Sequence, residues 1–133
     1  MTSPTPKRSV LLVEDDRDIR ESLVEILQGQ GYLATGAENG CVALDHLKQA
    51  SRLPALILLD VMMPRMNGIQ FRKEQRGTPA LSAIPVIIMT ATGRDELSAM
   101  LSAVQLDGQE LDGMQYMRKP LDLVTLLALI ARS

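Results

Sequence analysis

"LILLDVMMP", residues 56–64, sets four aliphatic side chains in a row and then a carboxylate, Asp60. A short apolar run of this kind is strand material from the inside of a protein. Ionised carboxylates are costly to bury, by several kcal/mol, unless something pairs with them. Asp60 is therefore either a plain turn residue at a strand end or a group set at a strand tip to meet a cation or a substrate. The rest of the chain decides between the two.

Similar runs recur on either side. "SVLLV" (9–13), "YLATGA" (32–37), "ALILL" (55–59), "PVIIM" (85–89) and "MQYMR" (114–118) read as strands. Between them the period changes to that of a helix. Ile19, Leu23, Ile26 and Leu27 share one face of a helix over 16–30, which "GQG" at 29–31 stops. Further helices are predicted over 41–50, 68–77, 95–106 and 121–131. Strands alternating with helices imply a parallel sheet covered on both faces and joined by right-handed crossovers. The expected fold class is α/β, a doubly wound five-stranded parallel sheet.

The totals agree with one domain. At 133 residues the chain can bury an adequate core, and with only 2% aromatic residues that core must be aliphatic. A net charge of −2 offers no footprint for nucleic acid or an anionic membrane, and no apolar run reaches the ~20 residues of a membrane span. The single Cys41 excludes an internal disulfide and fits a reducing, cytoplasmic setting. Residues 1–8 read as a flexible N-terminal arm and 9–133 as the domain.

In open α/β sheets the site lies beyond the carboxyl ends of the strands. There the sequence places "EDD" (14–16), Asp60, Thr90 and Lys119. Clustered carboxylates repel unless a cation joins them, and oxygen ligands suit Mg²⁺. Lys119 and Thr90 add a positive charge and a hydroxyl for phosphate oxygens. An Asp carboxylate can itself be the nucleophile that forms an aspartyl-phosphate. Asp16 stands apart from this group, since it is expected to cap the first helix.

"LLVEDD" (11–16), "LILLDVMMPRMNG" (56–68), "IPVIIMTA" (84–91) and "YMRKP" (116–120) together resemble the receiver domain of two-component response regulators. The resemblance spans the chain and implies a flavodoxin-like (βα)5 fold. It implies that Asp60 accepts a phosphoryl group from a histidine kinase or phosphotransfer protein. Asp15, Glu14 (through water) and the Met62 carbonyl would hold Mg²⁺ beside Asp60. Thr90 and Lys119 would grip the phosphoryl oxygens, and Tyr116 would answer the movement of Thr90, reshaping a face for a downstream protein. Such a domain is a monomer or a phosphorylation-dependent dimer and not an enzyme beyond slow loss of its own phosphoryl group. The resemblance also makes the Lys119–Pro120 bond cis.

Other residues read more plainly. His46 is a solvated surface residue, Cys41 a buried or half-buried one, and Gly68 serves the helix start. Two stretches depart from the family pattern. "GIQFRKEQRG" (68–77) has polar residues where receivers place aliphatics, at Arg72 and Gln75, so this helix is expected to be loosely packed, tilted or frayed. The interval from Thr90 to Lys119 is longer than usual by about two helical turns. Its "LDGQELDG" (106–113) is expected to be a loop, or a lengthened fourth helix, whose order depends on phosphorylation or a partner. Two rival functions follow. A flavin carrier needs a phosphate-cradling loop after the first strand, and "EDDRD" would repel that phosphate. A receiver-like adaptor working without phosphorylation would not need the full acidic set. No output domain follows the last helix, so the expectation is a stand-alone receiver or an excised one.

Overall fold

The computed structural model describes residues 8–60, 68–90, 115–118 and 123–132. Five strands form one parallel sheet: β1 (Ser9–Val13), β2 (Leu33–Ala37), β3 (Leu56–Asp60), β4 (Val86–Thr90) and β5 (Gln115–Arg118). Their order across the sheet is β2-β1-β3-β4-β5. The helices among the described residues are α1 (Arg17–Gly29), α2 (Gly40–Gln49), α3 (Gly68–Gly77) and a C-terminal helix (Leu123–Arg132). The expected helix at 95–106, the segment 106–113, the first seven residues of the arm and the Lys119–Pro120 bond lie outside the described residues.

Alternation along the central strands supplies both faces of the sheet. Leu11, Val13, Ile57, Leu59, Val86 and Ile88 pack with Ala43, Leu44 and Leu47 of α2 and with Phe71 of α3. Their neighbours Val10, Leu12, Leu56, Leu58, Ile87 and Met89 pack with Leu23 and Leu27 of α1 and with Leu126 and Ile130 of the C-terminal helix. Every residue of β3 is buried, as befits a strand covered on both sides. Edge strand β2 alternates between exposed and half-buried positions and is buried only at Ala37.

Local chemistry fixes the ends of the helices. The Asp16 carboxylate accepts a hydrogen bond from the Ile19 amide at 3.1 Å, capping α1 as its sequence position predicts. Asn39 does the same for α2 through the Val42 amide at 2.9 Å. Beyond α1 the chain turns through Gly31 at φ 91°, a conformation that glycine adopts without strain. The apolar face of α1 is narrower than its periodicity predicts: Leu23 and Leu27 are buried, whereas Ile19, in the first turn, is 38% exposed. One residue before β1, the Arg8 guanidinium donates to the carbonyl of Ile130 in the last turn of the C-terminal helix.

Two expectations are corrected. Cys41 is exposed. The buried positions of α2 are Gly40, Ala43, Leu44 and Leu47, and Cys41 stands one residue, about 100°, off that stripe. Helix α3 is not frayed: it is continuous over Gly68–Gly77, with Phe71 and Gln75 both fully buried. Gln75 stands where an aliphatic was expected, and its amide nitrogen donates to the carbonyls of Leu81 (2.9 Å) and Ile84 (3.0 Å). Hydrogen bonding there does what aliphatic packing does elsewhere, tying α3 to the turn that feeds β4. His46 is exposed, as expected.

Candidate functional site

Strand order determines where a site can form. The chain leaves β1 toward β2 on one side and returns as β3 on the other, so the crossovers part between β1 and β3. Beyond the carboxyl ends of these two strands opens the crevice in which doubly wound sheets bind their ligands. Glu14 and Asp15 follow β1 directly, and Asp60 is the last residue of β3. The strand was expected to stop at Leu59; pairing of Asp60 with Met89 of β4 carries it one residue further.

These three carboxylates meet. Each offers an oxygen within 4.8 Å of the other two. Glu14 is 1% and Asp60 3% exposed, while Asp15 faces solvent. Four buried aliphatics precede Asp60, each contributing ~1.5–3 kcal/mol of burial, so the Asp60 backbone has little freedom to retreat. The Glu14 amide donates to the Ala37 carbonyl at 3.0 Å, which extends the β1–β2 ladder past the strand end. Asp16, third in the "EDD" run, is turned away into the cap of α1.

Oxygen donors from two strand tips, two of them buried and one open to water, suit a hard divalent cation that keeps part of its hydration shell. Without such a charge, like charges at this spacing oppose each other in a low-dielectric setting. Among the expected partners, Thr90 ends β4 one residue past Met89, the register partner of Asp60. Thr90 in turn pairs with Arg118 at the end of β5, so the backbone brings a fourth strand tip to the same edge. Tyr116 pairs with Ile88 in that ladder. The side chains of Thr90 and Tyr116, and the whole of Met62 and Lys119, lie outside what is described.

Two contributors escaped the sequence reading. One is Arg20, whose guanidinium donates to the backbone carbonyls of Glu14 (2.9 Å) and Asp15 (3.4 Å) from the first turns of α1. The other is Gly36: a Cβ there would stand 2.9 Å from Arg20 Cγ and 3.0 Å from its Cδ. A glycine inside a strand often marks a close approach, and that signal was available in "LATGA".

The sequence matches a family model described as the response regulator receiver domain over residues 10–131. Response regulator MprA of Mycobacterium tuberculosis (strain ATCC 25618 / H37Rv) is 37% identical over 119 residues, which cover 90% of this chain and 47% of that one. The chain thus spans about half the length of the curated relatives it matches. Among solved structures, the signal receiver domain of a signal transduction histidine kinase from Syntrophus aciditrophicus superposes with a TM-score of 0.78 at 29% identity, covering 95% of this chain and 89% of that one. Chemotaxis protein CheY4 of Vibrio cholerae gives 0.77 at 30% identity, covering 94% and 97%. A match over nearly the whole chain, on a sheet wound in this order, leaves one family: the chain belongs to the response regulator receiver domains, the phosphoacceptor switches of two-component signalling.

Proposed function

We propose that Asp60 is the phosphoacceptor, and that a histidine kinase or a phosphotransfer protein supplies the phosphoryl group. The observation that supports this is the meeting of Glu14, Asp15 and Asp60 within 4.8 Å at the β1/β3 crevice, two of them almost wholly buried. A carboxylate oxygen of Asp60 forms a bond to phosphorus as the phosphorus–nitrogen bond of a phosphohistidine breaks. The imidazole nitrogen keeps that electron pair, and Asp60 becomes an acyl phosphate. Mg²⁺ held by Asp15, Glu14, Asp60 and the Met62 carbonyl would neutralise charge on the transferring group. Lys119 and Thr90 would bind the phosphoryl oxygens, and Thr90 with Tyr116 would carry the change to a surface read by a downstream protein. Phosphorylation then biases a two-state equilibrium, in a monomer or through a phosphorylation-dependent dimer. Turnover is limited to slow loss of the phosphoryl group, and the setting is the cytoplasm.

The test is incubation with acetyl phosphate and Mg²⁺ followed by intact-mass measurement. One phosphoryl group should be gained, and hydroxylamine should remove it. Asp60→Asn should gain none while keeping the fold. Wild-type protein that stays unmodified, under conditions that label an ordinary receiver, refutes the proposal.

A further inference from the structure

Two neighbours of the acidic pocket, Arg20 and Gly36, contribute no ligand atom, yet they fix where the ligands stand. Glu14 and Asp15 sit on a three-residue link between β1 and α1, and the sheet holds the Glu14 amide of that link. Arg20 holds its carbonyl side, through bonds to both Glu14 and Asp15. Arg20 reaches them because its stem passes over β2 at the one residue of that strand without a side chain, Gly36. A methyl group at Gly36 would overlap that stem at 2.9–3.0 Å, closer than carbon atoms tolerate.

We infer that Arg20, lodged in the slot at Gly36, is a positioning residue for the acidic pair Glu14–Asp15 and thereby sets the affinity of the pocket for its divalent cation. This rests on the phosphoacceptor reading above. Groups that orient metal ligands, without touching the metal, typically matter about 10–100-fold in affinity.

Charge and position make opposite predictions here. Arg20 is a cation beside a cation site. If it acted only through its charge, its removal would tighten Mg²⁺ binding. If it acts by holding the link, its removal loosens the carboxylates and weakens binding. Gly36→Ala separates the two further, because it displaces the stem of Arg20 and leaves the charge in the protein.

Mg²⁺ alone is titrated calorimetrically into wild type, Arg20→Ala, Arg20→Lys, Gly36→Ala and the Arg20→Ala/Gly36→Ala double variant, each first shown to be folded by circular dichroism. Arg20→Ala should raise the dissociation constant about tenfold, at the low end of that range. Gly36→Ala should raise it in the same direction. The double variant should be no weaker than Arg20→Ala, since the added methyl no longer meets a stem. Arg20→Lys should recover part of the loss, since one nitrogen of Arg20, Nη1, makes both bonds and an ammonium on a shorter stem replaces it incompletely. In the apo proteins, amide exchange at Glu14 should quicken in Arg20→Ala and in Gly36→Ala. Tighter or unchanged Mg²⁺ binding by Arg20→Ala, additive losses in the double variant, or Glu14 exchange equal to wild type would each overturn the inference. Wild type that binds no Mg²⁺ would refute the phosphoacceptor reading instead, and Glu14 exchange would still decide the role of Arg20. Should Arg20→Ala fail to fold, Gly36→Ala and Arg20→Lys carry the same comparison.

Discussion

Replacing Gln75 by leucine pits the family pattern against this structure. The pattern prefers an aliphatic at this place in α3; the structure buries Gln75 completely and commits its amide to two carbonyls. In Gln75→Leu both bonds go. The Leu81 carbonyl keeps the Ile84 amide at 3.2 Å, so it retains a donor. The Ile84 carbonyl has no such second donor among the described residues, and Ile84 is only 7% exposed. Stranding one buried carbonyl costs ~1–3 kcal/mol, and losing the second bond costs about 1 kcal/mol more. Leucine returns ~1–2 kcal/mol through its more apolar surface. The net expectation is a loss of about 1.5 kcal/mol. In urea, with a slope of ~1–3 kcal/mol per molar, the midpoint should fall by roughly 0.5–1.5 M. Gln75→Glu keeps the shape and turns an acceptor toward two acceptors, so it should fall further. Equilibrium unfolding followed by far-ultraviolet circular dichroism measures both. A Gln75→Leu protein as stable as wild type, or more so, would show that the amide bonds do not hold α3 and that the site is simply an aliphatic position in disguise.

Other outcomes are expected. Mg²⁺ should raise the melting temperature, with stabilisation of ~2.7 kcal/mol at a hundredfold excess over its dissociation constant; a melting temperature indifferent to tens of millimolar Mg²⁺ would show that the three carboxylates do not act together. Asp15→Asn should weaken Mg²⁺ binding and slow labelling by acetyl phosphate, as read by titration calorimetry and by the time course of intact mass. Asp16→Ala should cost about 1 kcal/mol in unfolding by urea, the usual value of a helix cap, and leave labelling within a few-fold of wild type. Abolished labelling in Asp16→Ala would move that residue from the cap into the metal site.

Much of this was legible in the chain because it rests on period and local chemistry. Apolar runs of five recur in register with helical stretches, and that pattern alone gives the parallel α/β sheet. "EDD" and Asp60 could be placed together because strand tips in such a sheet share an edge, and Asp16 could be set apart because capping is a local property. What escaped depends on where side chains go after folding. Nothing in "GIQFRKEQRG" tells that Gln75 will find two carbonyls six and nine residues on. Cys41 looked half-buried because its type prefers the interior, but the stripe of Gly40, Ala43, Leu44 and Leu47 overrides type. Arg20 and Gly36 are 16 residues apart, and only β1–β2 pairing brings one over the other.

The bond from Arg8 to Ile130 has a practical corollary. It joins the beginning of β1 to the end of the last described helix, so both ends of the fold leave from the same edge of the sheet. That edge is opposite the carboxylates, a full strand away, or ~16 Å at ~3.3 Å per residue. A reporter or affinity handle fused directly before Arg8 or after Arg132 would therefore start at the edge far from the carboxylates. Splicing the two ends through a short linker and reopening the chain at the exposed Ser51–Arg52 turn would yield a permuted protein. Its new ends would again lie at the carboxylate-free edge, where β3 begins.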